Sequence, residues 1–232
     1  MATDYELGEK VHRELVGLGL ETPLVERAQD YLNVNGCKDG PVYSSIAGYQ
    51  YSIMKELGLD LNDDSLKDTP TRVAKMYCQE IFKGLSYYNF PKCTTVDNKM
   101  NYDEMICVDK IEVKSMCEHH FIPFIGYASI AYIPNKKILG LSKFNRIVDF
   151  FSRRPQIQER LTAQIAATLS LILETKDIAV VIRADHMCVK LRGIEDTHSV
   201  TKTSKVSGRF RDVPELRSEF LSIMSKGDGN GI

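Results

Sequence analysis

The chain has 232 residues, 43% of them hydrophobic, enough for one sizeable core with an appended helical segment. A net charge of −1 excludes a broadly basic surface for nucleic acid or membrane, so an anionic partner must be met by a local basic pocket. The stretch Met1 to Glu6 is acidic and polar where a signal peptide is basic and then apolar, and no run reaches membrane-spanning length; a cytoplasmic protein with reduced thiols is expected.

Leu7, Val11, Leu15 and Leu18 recur at helical spacing until Gly17 and Gly19 weaken the pattern. A turn-rich linker is expected from Asn33 to Gly40. A second helix follows from Val42 to Leu57, with Ile46, Tyr49, Ile53 and Leu57 on one side and Gly58 as its stop. A third helix has Thr69 as cap and Pro70 in its first position. Val73, Met76, Tyr77 and Ile81 form its apolar stripe before Gly84, and Arg72 and Lys75 lie on the other face.

Met105 to Ser115 and Phe124 to Ile133 read as strands, the second followed by a turn at Pro134-Asn135. Ser142 to Phe151 reads as a helix, and Pro155 opens a longer one with Ile157, Leu161, Ile165, Leu169 and Ile172 in register. The β-branched run from Asp177 is expected to continue as a strand to Leu191. A threonine-rich strand from Ser199 to Phe210 and a helix from Val213 to Met224 follow, before residues 227–232 fray. The pattern is α+β: an antiparallel sheet with two helices on one face, its other face free to pack on a further surface such as another subunit.

Two short clusters carry the chemistry. Cys117-Glu118-His119-His120 and His186-Met187-Cys188 hold three of the five histidines beside two of the six cysteines, a concentration that points to zinc. On a tight turn residues i and i+3 converge, so Cys117 and His120 can share an ion while His119 points elsewhere. On the expected strand His186, Cys188, Lys190 and Arg192 share a side, with Met187, Val189 and Leu191 packed on the other. Cys188 is the softer ligand and His186 the polar neighbour. Three ligands leave a position open for water; a closed four-ligand structural site and a Cys117–Cys188 disulfide are the alternatives. Cys37, Cys78, Cys93 and Cys107 read as small buried apolar residues.

Around this centre the run Gly140-Leu141-Ser142-Lys143 enters a helix, so Ser142 and the first amides form an anion-binding end to which Lys143 and Arg146 add charge. Arg192, Arg72 and Lys75 complete a set of cations suited to a polyphosphate. Gln158-Glu159 opens the longest predicted helix; a carboxylate there accepts two hydrogen bonds from a cyclic amidine face such as that of guanine and rejects adenine.

Several ordered motifs agree with one family. Asp68-Thr69-Pro70-Thr71-Arg72-Val73-Ala74-Lys75, Ser115-Met116-Cys117-Glu118-His119-His120-Phe121, Gly140-Leu141-Ser142-Lys143, Arg153-Arg154-Pro155-Gln156-Ile157-Gln158-Glu159-Arg160-Leu161 and Asp185-His186-Met187-Cys188-Val189-Lys190-Leu191-Arg192-Gly193 resemble GTP cyclohydrolase I over roughly residues 40 to 225. The resemblance implies hydrolysis of GTP at C8 of the purine, release of formate and rearrangement to 7,8-dihydroneopterin triphosphate, the entry to folate or tetrahydrobiopterin. It implies zinc on Cys117, His120 and Cys188, an acid–base pair in His119 and His186 with His119 protonating N7, and a guanine clamp in Glu159 with Gln158. Ser142, Lys143, Arg146 and Arg192 match triphosphate contacts, and Arg72 and Lys75 match contacts from a neighbouring subunit.

The same resemblance implies a tunnelling fold, in which sheets from several subunits join into a barrel, and a homodecamer of two pentamers. Residues 1–64 are then an N-terminal helical segment and 65–232 the catalytic tunnelling-fold domain. A nitrile reductase of queuosine synthesis and a non-catalytic zinc-stabilised nucleotide-binding module stay open as other classes; the first needs a nucleophilic cysteine and a nicotinamide.

Overall fold

The computed structural model describes residues 2–25 and 40–226. The linker expected at 33–39, Cys37 and the terminal residues 227–232 lie outside the described residues. The elements in chain order are α1 (Tyr5–Gly17), α2 (Pro41–Glu56), α3 (Thr69–Lys75), β1 (Thr95–Asp97), β2 (Ile106–Cys117), β3 (Pro123–Tyr132), β4 (Lys137–Leu139), α4 (Ser142–Ser152), β5 (Pro155–Gln156), α5 (Gln158–Leu173), β6 (Ile178–His186), α6 (Met187–Lys190), β7 (Thr201–Val206), α7 (Arg209–Asp212) and α8 (Pro214–Lys226). Helix α3 runs straight into a π-helical stretch, Met76–Ile81.

Five strands form one sheet in the order β5-β2-β3-β6-β7, antiparallel except for the short parallel pairing of β5 with β2. Alternation decides its faces. Ile111, Val113, Ser115 and Cys117 of β2, Phe124, Ala128 and Ile130 of β3, and Ile178, Val180, Ile182 and Ala184 of β6 are all buried. Helices α4 and α5 lie over that face, held by stripes at helical spacing: Phe144, Ile147, Val148 and Phe151 on α4, and Leu161, Ile165, Leu169 and Ile172 on α5. The opposite face is covered at one end, where Ala131, Ile133 and Ala179 pack with Phe210 of α7 and Phe220 of α8. Towards the other end Ile125 and Tyr127 remain exposed.

Four expectations need correcting. The strand predicted to reach Leu191 stops at His186 because its partners stop: Phe124 opposite it makes the last β3 pair, the next residue, Pro123, has no N–H to donate, and β7 last pairs Thr201 with Ala184. The chain turns instead into α6, closed by Leu191 N donating to Met187 O at 2.9 Å, and Leu191 is exposed rather than packed. Pro155 does not open the long helix; Pro155–Gln156 pairs in parallel with Met116–Cys117, and α5 starts at Gln158. Asp68 rather than Thr69 precedes the third helix, without a side-chain cap. On α2, Tyr49, Ile53 and Leu57 do share a side, but it is exposed, as is Leu18 after α1. Only Met54 of α2 is buried.

The segment following α1 is tied to the core by charge. Arg154 is fully buried; its Nη1 donates to Glu21 Oε1 at 2.7 Å, while the guanidinium carbon lies 4.7–4.9 Å from the ring centres of Tyr87, Phe150 and Phe151. Its Nε and Nη2 meet aromatic surroundings without a hydrogen-bond acceptor among the described residues, so Glu21 carries most of the compensation. Tyr87 also donates to Glu21, and His12 Nδ1 lies 2.9 Å from it. Burial pushes the Glu21 carboxyl up, but the Arg154 charge and the bonds from Tyr87, His12 and Thr22 outweigh it and hold the group below its ordinary value. Stability from this pair is therefore complete above the ordinary carboxylate range and is lost as pH falls through the lowered value. Glu21→Ala strands a buried cation and should cost about 3–5 kcal/mol in chemical denaturation, with a shallower loss of stability on acidification than the parent chain shows.

Candidate active site

The turn between β2 and β3 makes the first half of the site. Phe121 N donates to Cys117 O and Cys117 N donates to Ile122 O, both at 2.9 Å, so residues 117–121 form one closed turn. Phe121 takes the left-handed conformation that completes it, φ 52°, at a cost of roughly 1–2 kcal/mol for a non-glycine residue. Cys117 and His120 converge across this turn. Helix α6 brings Cys188 to them, and the ligand atoms of Cys117, His120 and Cys188 all lie within 4.8 Å of one another. Cys188 thus arrives from a helical turn, not from the strand face its spacing predicted.

The donor set fits a divalent zinc-type cation: two soft sulfurs and one imidazole, without a fourth side chain among the described residues in the group. Burial first, and then the facing Cys117 thiol, push the Cys188 thiol above its ordinary value. A bound cation reverses that tendency, because a coordinating thiol is deprotonated outright. The cluster is half open: Cys117 is buried, Cys188 half-buried and His120 exposed. His119 is exposed beside it, with Nδ1 3.7 Å from Cys117 Sγ. Arg192 Nη1 lies 2.8 Å from His120 Nε2, placing this cation against the cluster.

His186, the last residue of β6, is held from two sides. Its ring stacks on Phe124 at 4.7 Å, and its Nε2 lies 2.8 Å from Gln158 Oε1. The Gln158 amide is fully engaged inside the protein: Nε2 donates to Ile182 O at 3.0 Å and Thr201 O at 3.2 Å and approaches Thr203 Oγ1 at 3.1 Å. Two carbonyls only accept, so the amide cannot be turned over; Oε1 must accept from His186, whose Nε2 carries the hydrogen and whose Nδ1 is bare in the neutral ring. Burial pushes the His186 pKa down, partly opposed by the charges of Glu159 and Asp185. Gln158 was expected to face a guanine. It is 1% exposed and orients His186 instead, whereas Glu159, the next residue, is exposed.

The remaining predicted cations are spread out. Lys143 and Arg146 on α4 have charges that reach Cys93, and Arg146 lines a cavity of about 200 Å³ together with Lys83, Asn89 and Pro91. The expected anion-binding amides of α4 are already used: Lys143 N donates to Gly140 O at 2.8 Å and Phe144 N to Leu141 O at 3.2 Å, leaving the exposed Ser142 to project alone. Arg72 is exposed and pairs with Asp68, the residue preceding its helix, at 3.4 Å, and Lys75 is exposed. Of the cysteines read as inert, Cys78 is buried, and burial pushes the Cys93 and Cys107 thiols up to about 11. Two residues inside the ordered motifs had no role assigned from sequence: Glu118 and Arg160, 42 positions apart, form an ion pair at 2.5 Å.

A family profile described as GTP cyclohydrolase I matches residues 46–225. The chain belongs to the GTP cyclohydrolase I family. Among its relatives named GTP cyclohydrolase 1, that of Aeromonas salmonicida is 53% identical over 211 residues, covering 91% of this chain and 93% of the relative. That of Haemophilus ducreyi is 48% identical over 218 residues, covering 94% and 96%. Within a GTP cyclohydrolase I family member the convergence of Cys117, His120 and Cys188 has a direct readout. The purified chain should carry one equivalent of zinc by elemental analysis, and Cys188→Ser should weaken zinc binding by more than about 100-fold, beyond the loss caused by removing an outer hydrogen-bond partner.

Proposed function

We propose that this chain is a zinc-dependent GTP cyclohydrolase I, opening the purine ring of GTP at C8 with release of formate and rearrangement to 7,8-dihydroneopterin triphosphate. The observation that carries the reading is the meeting of two thiols and one imidazole within 4.8 Å, beside His119, in a chain of this family. Cys117, His120 and Cys188 would hold the metal, which supplies Lewis-acid activation of water.

The chain's own residues account for the rest of the chemistry. Attack on a neutral aromatic carbon requires an electron-poor ring, and His119, exposed next to the cluster, can donate a proton to purine N7. His186 is the second acid–base group: Gln158 keeps a hydrogen on its Nε2, so proton exchange runs through Nδ1. Glu159 at the start of α5 accepts from the N1–H and 2-amino group of guanine, and Ser142, Lys143, Arg146 and Arg192 take the triphosphate.

The scattered positions of these cations support a site completed between copies. We assign the sheet to the tunnelling fold, with barrels built across subunits and a decamer of two pentamers, and assign Arg72 and Lys75 to the neighbouring copy's triphosphate. The exposed Ile125 and Tyr127 on the sheet and the exposed side of α2 are apolar areas suited to such burial. On this reading residues 1–64 are an N-terminal helical segment and 65–232 the catalytic unit, working in the cytosol where thiols stay reduced. Among the described residues no helix is long and apolar enough to cross a membrane.

His119→Ala should leave zinc and GTP bound while formate release falls by roughly 10²–10⁴-fold, measured by formate assay and pterin fluorescence; retained formate production removes His119 from the mechanism. Sedimentation of the active enzyme should give a decameric mass, and a fully active monomer would refute the shared site.

A further inference from the structure

The ion pair between Glu118 and Arg160 joins the two halves of the site. Glu118 stands between Cys117 and His119 in the metal-side turn; Arg160 stands in the first turn of α5, directly after Gln158 and Glu159. The contact is two-pronged, with Arg160 Nη1 donating to Glu118 Oε2 at 2.5 Å and Nη2 to Oε1 at 3.3 Å, and both side chains are largely withdrawn from water, 16% and 22% exposed. Helix electrostatics do not explain this placement, since a cation near a helix N-terminus faces the positive end of the dipole. A second tie runs alongside through the backbone: Glu118 N donates to Gln156 O at 3.0 Å, next to the Cys117–Gln156 strand pairing.

The first turn of α5 therefore reaches two parts of the site with three consecutive residues. Gln158 grips His186, the charge of Glu159 acts on His186, and Arg160 grips the turn that carries Cys117, His119 and His120. Both Glu118 oxygens are taken up by the guanidinium, and Glu118 stands outside the Cys117, His120 and Cys188 group. We propose that the Glu118–Arg160 pair is a positioning device that holds the metal-binding turn at a set distance from the guanine-reading end of α5 and keeps the Glu118 carboxylate out of the ligand set. This rests on the metal site proposed above.

The test measures zinc affinity by competition with a chromophoric chelator, alongside formate release, for the parent enzyme, Arg160→Leu, Glu118→Gln, the double variant and the charge-swapped Glu118→Arg/Arg160→Glu chain. Each single variant should bind zinc roughly 10–100-fold more weakly, the size of loss seen when a ligand's outer support is removed. The double variant should be no worse than either single one, and the swapped pair should recover part of the affinity. Cobalt substitution adds a spectroscopic readout: the visible band of Arg160→Leu should differ from the parent's, while that of Arg160→Lys stays close to it. Should Arg160→Leu fail to fold, Arg160→Gln takes its place beside Glu118→Gln in the same comparison. Parent-like zinc affinity in both single variants, or losses that simply add in the double one, overturns the proposal. A parent chain that binds no zinc, or a Cys188→Ser chain that binds it as well as the parent, fails the metal reading itself.

Discussion

The registration of β3 against both of its neighbours is the constraint on which the site depends. Phe124 pairs with Ser115 of β2 on one side and with His186 of β6 on the other. The ends of three strands therefore coincide, and Cys117 and Cys188, each two residues beyond those partners, lie at the same end of the sheet. A slip of one residue on either side moves a ligand by about 3.3 Å and turns its side chain to the opposite face. The buried alternation of Val113, Ser115, Phe124, Ala128, Ile182 and Ala184 opposes any such slip, so core packing is what lets Cys117, His120 and Cys188 meet.

The buried polar groups next to His186 are bonded within the protein. Gln158 and Thr162 spend their polar atoms on the backbone, on Thr203 and on His186. Glu159, His119 and Ser142 remain exposed. The engagement of Gln158 converts a residue with the look of a substrate contact into the group that sets the hydrogen on His186. Farther away, Arg154 and Glu21 enclose a guanidinium among aromatic rings and answer it with one carboxylate. That pairing makes the segment after α1 part of the same folded unit as α4 and α5, since Val11 and Leu15 share their core.

The surface carries the complementary message. Helix α2 presents Tyr49, Ile53 and Leu57 to solvent, and one end of the sheet presents Ile125 and Tyr127. In an isolated chain such areas are costly to leave wet, whereas in an assembly whose sites lie between copies they are ordinary contact surfaces. Arg72 and Lys75 likewise stand on an outer helix and pair with nothing in the cluster among the described bonds.

Local pattern was enough to determine much of this molecule. The helical stripes of α1, α4 and α5, the two long strands β2 and β3, the choice of Cys117, His120 and Cys188, and the closeness of His119 and Arg192 to them were legible because period, residue chemistry and short-range spacing are properties of the chain itself. Tertiary structure decided where those patterns stop and which way bonded side chains face. Strand β6 ends at His186 because Pro123 and Thr201 end their pairing there, so Cys188 arrives on a helical turn. Gln158 faces inward because two carbonyls from β6 and β7 claim its amide. Glu118 finds Arg160 over 42 residues and Glu21 finds Arg154 over 133, partnerships that no local pattern encodes because only the packed sheet and helices bring those segments together.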